Sequence, residues 1–303
     1  MPPTFTTPAR PLTWLITGCS SGFGLALARV AQAGGHTVIA TSREPGRTPE
    51  LVAEVEGRGG RWLRLDVAAG GGEGDDADPE LAAALARADV LVNNAGAAVF
   101  APVETATDAE LRAHLDTMYL GPLRLVRAVL PHMRRRRFGV VVNISSGASL
   151  DGREAMGAYA GAKAALDGIT RVLAKEVAPF NIRTLTVVLG MFNTNMARAT
   201  GVGAAPLPAD YAGSVVERMV EFAAARGSAA IPGPPPAAGD KDKAMRAVYE
   251  VVLGRGSAGA GRGDETLLLL GADMTARAEG VRAYLGRALE AFKDVTGNVG
   301  VDP

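Results

Sequence analysis

The residues "TWLITGCSSGFGLALARV" (13–30) run from an apolar segment ending at Thr17, through glycines at 18, 22 and 24, into an apolar-periodic segment. That order reads as strand, tight turn and helix. Glycines allow the sharp turn and a close backbone approach to a phosphate, and the helix N-terminus adds unpaired N–H groups and a favourable dipole. The stretch therefore predicts a dinucleotide pyrophosphate site in the first β-α unit.

Outward from that unit, the pattern repeats. Six further strand candidates follow: "TVIAT" (37–41), "RWLRLDV" (61–67), "DVLVNN" (89–94), "GVVVNIS" (139–145), "RTLTVVL" (183–189) and "ETLLLLG" (265–271). Several carry apolar residues at consecutive positions, as strands covered on both faces do. Helical patterns lie between them, among them "DAELRAHLDTMYLGPLRLVRAVLPHMRR" and "YAGAKAALDGITRVLAKEVA". Alternating β-α units imply an α/β fold, a doubly wound Rossmann-type parallel sheet of seven strands flanked by helices. No repeat or domain boundary stands out, so residues 1–303 are read as one domain. "AAGGGEGDDADPE" (68–80) and "IPGPPPAAGDKDK" (231–243) read as solvated connections. "RRRR" (134–137) ends the longest helix, where cations complement the dipole.

Composition narrows the function. Lys+Arg 32 and Asp+Glu 32 cancel, and aromatics are only 5%, so no basic nucleic-acid footprint is present. Cys19 is the only cysteine, which excludes an intrachain disulfide and a cysteine zinc site. His36, His114 and His132 are too scattered to suggest metal ligation and are read as surface or packing residues. "MPPTFTTPARP" lacks a signal-peptide pattern and no apolar run reaches the length of a membrane span, so a cytoplasmic protein is expected.

In "GAYAGAK" (157–163), Tyr159 and Lys163 stand four apart and share a helix face. Together with T-G-x-x-x-G-x-G at the first turn, "LDV" (65–67), "NNAG" (93–96) and "NISS" (143–146) in that order, this Y-x-x-x-K pattern resembles the short-chain dehydrogenase/reductase family. The resemblance covers roughly residues 12–196, leaving 197–303 for a substrate lid, a linker and C-terminal helices. The arginine after the second strand and the long C-terminal part resemble the hydroxysteroid and retinol reductase branch.

The phosphate turn supplies Gly18, Ser20, Ser21, Phe23 and Gly24 as expected cofactor contacts. The second strand ends in Ser42 and Arg43 rather than a carboxylate, which favours NADP(H) over NAD(H), because a guanidinium pairs with a 2′-phosphate. The adjacent Glu44 is read as pointing away or as Arg43's own partner. The resemblance implies that Asp66 and Val67 meet the adenine, and that Asn94, Ala95 and Gly96 lie along the cofactor. It also implies that Gly190 and Thr194 close the nicotinamide end, with Leu189 where the family commonly has proline.

Hydride transfer belongs to the nicotinamide, so the chain must orient a carbonyl and supply a proton. A free phenol titrates near ~10, and an ammonium one helical turn away lowers it. Tyr159 is thus the expected proton donor and Lys163 its tuning cation, also positioned, as in the family, for the nicotinamide ribose. Ser146 is the expected partner of the substrate oxygen, with Ser145 as the less well spaced alternative. Neither sits in G-x-S-x-G, so a hydrolase elbow is not supported. The family's relay asparagine aligns with Met118, read as core packing with water or a main-chain carbonyl serving the relay.

These residues predict an enzyme interconverting a carbonyl and an alcohol. An isomerase, epimerase or dehydratase using the same tyrosine is the alternative, followed by a nucleotide-binding regulator. The Ala, Leu and Met content of 195–211 suggests a fairly apolar small-molecule substrate. No nucleic-acid, membrane or metal partner is expected, and a homo-oligomer is expected by analogy.

Overall fold

The computed structural model describes residues 5–69, 78–192, 194, 200–225 and 239–300. Seven parallel strands form the sheet: β1 (Thr13–Ile16), β2 (Thr37–Ser42), β3 (Arg61–Arg64), β4 (Val90–Asn93), β6 (Gly139–Ser146), β7 (Ile182–Leu189) and β9 (Leu267–Leu270). Their spatial order is β3-β2-β1-β4-β6-β7-β9. The order reverses between β1 and β4, and ligands bind such α/β sheets at the carboxyl ends of strands beside this switch point.

The strands are parallel because each is followed by a crossover helix. Alternate residues face opposite layers. Trp14, Ile16, Val38, Val92 and Val140 pack on one side with α1 (Gly22–Ala33), α2 (Pro49–Gly57) and the helix Lys241–Leu253. Leu15, Ile39, Leu91 and Val141 pack on the other side with α3 (Pro79–Arg87), α5 (Gly121–Arg136) and α7 (Gly157–Val177). Each fully buried large apolar side chain contributes about 1.5–3 kcal/mol, which makes this double layer the main source of stability.

Three features depart from the sequence expectations. The third strand stops at Arg64 rather than continuing to Val67. There the Asp66 carboxylate folds back to accept from Ala68 N at 3.0 Å, turning the chain over the cleft. The long helix from 108 is broken into α4 (Asp108–Leu115), a π-helical turn (Asp116–Leu120) and α5. Pro122 has no N–H for the Met118 carbonyl, and Gly121 N bonds Asp116 O instead, five residues back. Finally, β5 (Val99–Phe100) and β8 (Gly201–Val202) form a small parallel pair beside the cleft, too short to carry a periodic signal.

One member of the arginine run ties helices together. Arg136 donates to Ala86 O at 2.6 Å and Ala88 O at 2.7 Å, tying the end of α5 to α3 and its cap. Two of the three histidines brace the main chain: His36 Nδ1 accepts from Leu12 N at 2.9 Å and His114 Nε2 accepts from Val99 N at 3.1 Å.

Candidate active site

A cleft of about 460 Å³ opens at the carboxyl ends of the central strands. Its floor begins at the glycine turn. Gly18 has φ 71°, and a Cβ there would stand 2.9 Å from Ala95 Cα, so only glycine fits between the turn and the β4 loop. Thr17 braces the same junction: its Oγ1 accepts from Asn94 N at 2.9 Å and Ala95 N at 3.0 Å. Asn94 Nδ2 donates to Thr17 O at 2.8 Å and Gly18 O at 3.1 Å, so its amide is spent shaping the turn. The bracing role of Thr17 was not foreseen, although threonine at a strand end before glycine is the available signal.

Of the expected cofactor residues, Gly18, Ser20, Ser21, Phe23, Ser42, Arg43, Asp66, Val67, Asn94, Ala95, Gly96, Tyr159, Lys163, Gly190 and Thr194 all line this one cleft. Gly24 does not. It lies beneath the turn, where a Cβ would meet Gly18 O at 2.5 Å and Asn94 Nδ2 at 2.6 Å, so it serves the packing of α1 under the loop. Ser42 Oγ accepts from Trp62 Nε1 at 3.0 Å and keeps its own proton available. Glu44 pairs with Arg47 and not with Arg43. Arg43 therefore keeps a guanidinium at the cleft rim with no ion pair among the described residues. The cradle and this unpaired cation fit a phosphorylated dinucleotide.

The chemical end is built on α7 and the end of β6. Tyr159, Ala162, Lys163, Leu166 and Thr170 form the buried face of α7 at helical spacing. Lys163 Nζ donates to Ile144 O at 2.6 Å and stands 5.9 Å from the Tyr159 ring centre. Burial lowers the ammonium to about 8, with nearby Asp167 opposing that fall. Burial also pushes the Tyr159 phenol up; the Ser146 hydroxyl draws it down and Asp167 adds to the rise. Four-residue spacing led to the opposite expectation for the phenol. In this structure removal from water dominates, and the ammonium is committed to a main-chain carbonyl.

Ser146 is half-buried at the end of β6 and lines the cleft beside Tyr159. Ser145 also lines it but is buried, its hydroxyl 3.3 Å from Ser149 Oγ. Ser149 Oγ lies 2.6 Å from Asp167 Oδ2 and 2.7 Å from Ser146 O. Burial raises the Asp167 carboxyl, against the Ser149, Ser145, Lys163 and Arg171 groups that lower it. Its place four residues after Lys163 was the signal that sequence reading passed over. A second buried chain holds α7 on the sheet: Asn93 Nδ2 to Asn143 Oδ1 at 2.8 Å, then Asn143 Nδ2 to Thr170 Oγ1 at 2.7 Å.

Met118 is fully buried in a cluster with Tyr159, Ala162, Ala98 and Phe100. A Cβ on Gly96 would stand 3.4 Å from Met118 Sδ and 3.8 Å from Lys163 Nζ, so the thioether and the ammonium flank the same point. The polar residue of this segment that reaches the cleft is Thr117. Leu189 ends β7 in a buried position, and Gly190 N donates to Leu270 O at 2.8 Å, fixing the loop without proline. Asn193 and Asn195 lie outside the described residues. Among the described residues no cluster of His, Cys, Asp or Glu could hold a metal ion.

A phosphate turn at the switch point of a parallel sheet, with a buried tyrosine and lysine facing it, defines a dinucleotide-dependent α/β oxidoreductase. The short chain dehydrogenase family matches residues 13–203, and the chain belongs to that family. It is 37% identical to the oxidoreductase claN of Passalora fulva over 194 residues, 62% of this chain and 85% of that one. The solved structure of a short-chain dehydrogenase from Streptomyces avermitilis superposes with TM-score 0.80 at 33% identity, covering 97% of this chain and 100% of that one. A short-chain dehydrogenase from Sphingobium yanoikuyae, solved in complex with NADPH, shares the fold at TM-score 0.66 and 20% identity, over 97% and 99% of the two chains.

Proposed function

We propose that the protein is an NADP(H)-dependent oxidoreductase that interconverts a carbonyl and an alcohol. The observation that carries this reading is the convergence of Ser146, Tyr159 and Lys163 in the cleft that also holds the glycine turn and Arg43. When bound, NADPH supplies a hydride to the carbonyl carbon. Ser146 donates a hydrogen bond to the substrate oxygen and orients it. Tyr159 gives its phenolic proton to that oxygen as charge develops there, leaving the alcohol and a phenolate. Lys163, mostly protonated at neutral pH with a value of about 8, stabilises the phenolate until a solvent proton restores it. Arg43, at the cleft rim, would hold the 2′-phosphate of NADP(H) in a charge-assisted bond, the reason for proposing NADP(H) over NAD(H).

Purified protein incubated with NADPH and a panel of ketones, aldehydes and quinones should oxidise the cofactor, followed by its absorbance. Tight NADPH binding without turnover of any carbonyl would defeat the reading. Met118 supports one second reading, an isomerase, epimerase or dehydratase, because a thioether replaces a relay amide beside Lys163. Such an enzyme would convert substrate with no net NADPH loss. Self-association belongs to the same proposal: Tyr284, Leu285, Leu289 and Phe292 expose apolar surface near the C-terminus. Sedimentation equilibrium tests it, and a monomer at micromolar concentration would remove it.

A further inference from the structure

Among the described residues four charged ones line the cleft: Arg43, Asp66, Arg153 and Lys163. Three have work to do. Lys163 faces Tyr159, Arg43 stands at the adenosine end, and Asp66 caps its own turn. Arg153 is left over. It lies on the loop between α6 (Ala148–Asp151) and α7, half-buried, and among the described residues its guanidinium has no ion pair and no hydrogen bond. The neighbouring carboxylate of Asp151 is taken by Arg277 in two bonds of 2.7 Å.

The loop that presents Arg153 is held in place. Ala101 N donates to Ala155 O at 2.8 Å, and Ala101 and Met156 form a β-bridge. Ala155 has φ 59°, a left-handed conformation that costs an alanine free energy and that these contacts maintain. The same cleft is also lined by the apolar side chains of Phe100, Met156, Met219 and Phe222. A half-buried guanidinium in this cleft, with no partner among the described residues, keeps five unspent donors in a planar fork. That fork matches a carboxylate or a phosphate, each able to accept two parallel bonds.

We propose that Arg153 is a specificity-determining residue that binds an anionic group, carboxylate or phosphate, carried by an otherwise apolar carbonyl substrate. The proposal rests on the carbonyl-reductase reading and names the substrate class for it.

The test uses methyl-ketone carboxylates of increasing chain length, their methyl esters, and the matching ketone phosphates. In the wild type, kcat/KM for one anionic series should exceed that for the neutral ester by at least about tenfold, the scale of one charge-assisted hydrogen bond. The series that gains shows whether carboxylate or phosphate is the preferred anion. Arg153→Met should bring the anion-to-ester ratio close to one, and Arg153→Lys should recover part of it. Measurable turnover at equal rates for anion and ester in the wild type, or a ratio unchanged in Arg153→Met, would overturn the proposal. Titrating the same compounds into the protein saturated with NADP⁺ reads the preference without chemistry. Anion-selective binding that Arg153→Met abolishes, with no turnover of any compound, would support Arg153 while defeating the reductase reading. Binding with no anion preference would defeat Arg153 alone.

Discussion

At the scale of single residues, the proposed reading gives the cations of the cleft separate tasks. Arg43 illustrates the first. Its neighbour Glu44 is paired with Arg47, so among the described residues the guanidinium at the rim has no ion pair. Arg43→Ala should lower kcat/KM with NADPH by about tenfold or more, the loss of a charge-assisted bond, and leave NADH nearly unaffected. Steady-state kinetics with both cofactors measure it; an equal loss for both would place the 2′-phosphate elsewhere. Tyr159, Lys163 and Arg43 were legible in the sequence, because each sits in a fixed-spacing motif or at a strand end. Arg153 and Asp167 were not. A lone arginine in a loop has no periodicity, and only its lack of a partner among the described residues of the folded chain marks it. Asp167 shares its helix face with Lys163, but its meaning comes from Ser149, eighteen positions away.

At the scale of elements, the decisive contact is between the glycine turn and α1. Gly24 lets the helix sit directly beneath Gly18 O. Gly24→Ala should push the two apart, costing about 1–3 kcal/mol in urea unfolding and weakening NADPH binding with it. Unchanged stability would mean that the turn has room to yield. The seven main strands were legible as apolar runs because strands buried on both faces need no polar alternation. The π-helical turn at 116–120 was hidden, since "DTMYLGP" reads as ordinary helix until Pro122 denies an N–H to Met118 O. The β5–β8 pair was hidden for a different reason: two residues give no period, and their partners lie about a hundred positions apart.

At the scale of the whole molecule, charge is balanced overall, so the proposed selectivity for anions would have to come from local cations rather than from a net field. No helix of the described residues is long and apolar enough to cross a membrane. Burying Lys163 has a global cost. Its folded value of about 8 lies below the ordinary 10.5, so the unfolded chain binds more protons between those values and stability rises with pH across that window. Below pH 8 the penalty is of order 3 kcal/mol. Set against a Lys163→Met variant, the wild type should therefore gain relative stability from pH 7 to pH 10 in chemical denaturation of the cofactor-free protein. A difference between the two that does not change with pH would show that the ammonium is not desolvated.

The central claim is that Tyr159 delivers a proton while hydride reaches the carbonyl carbon. It is tested most directly with NADPH carrying deuterium at the transferable position and a ketone that the protein turns over. The alcohol formed should carry deuterium on the former carbonyl carbon, and Tyr159→Phe should bind NADPH yet form no labelled alcohol. An unlabelled or isomerised product, or full labelling by Tyr159→Phe, would contradict it.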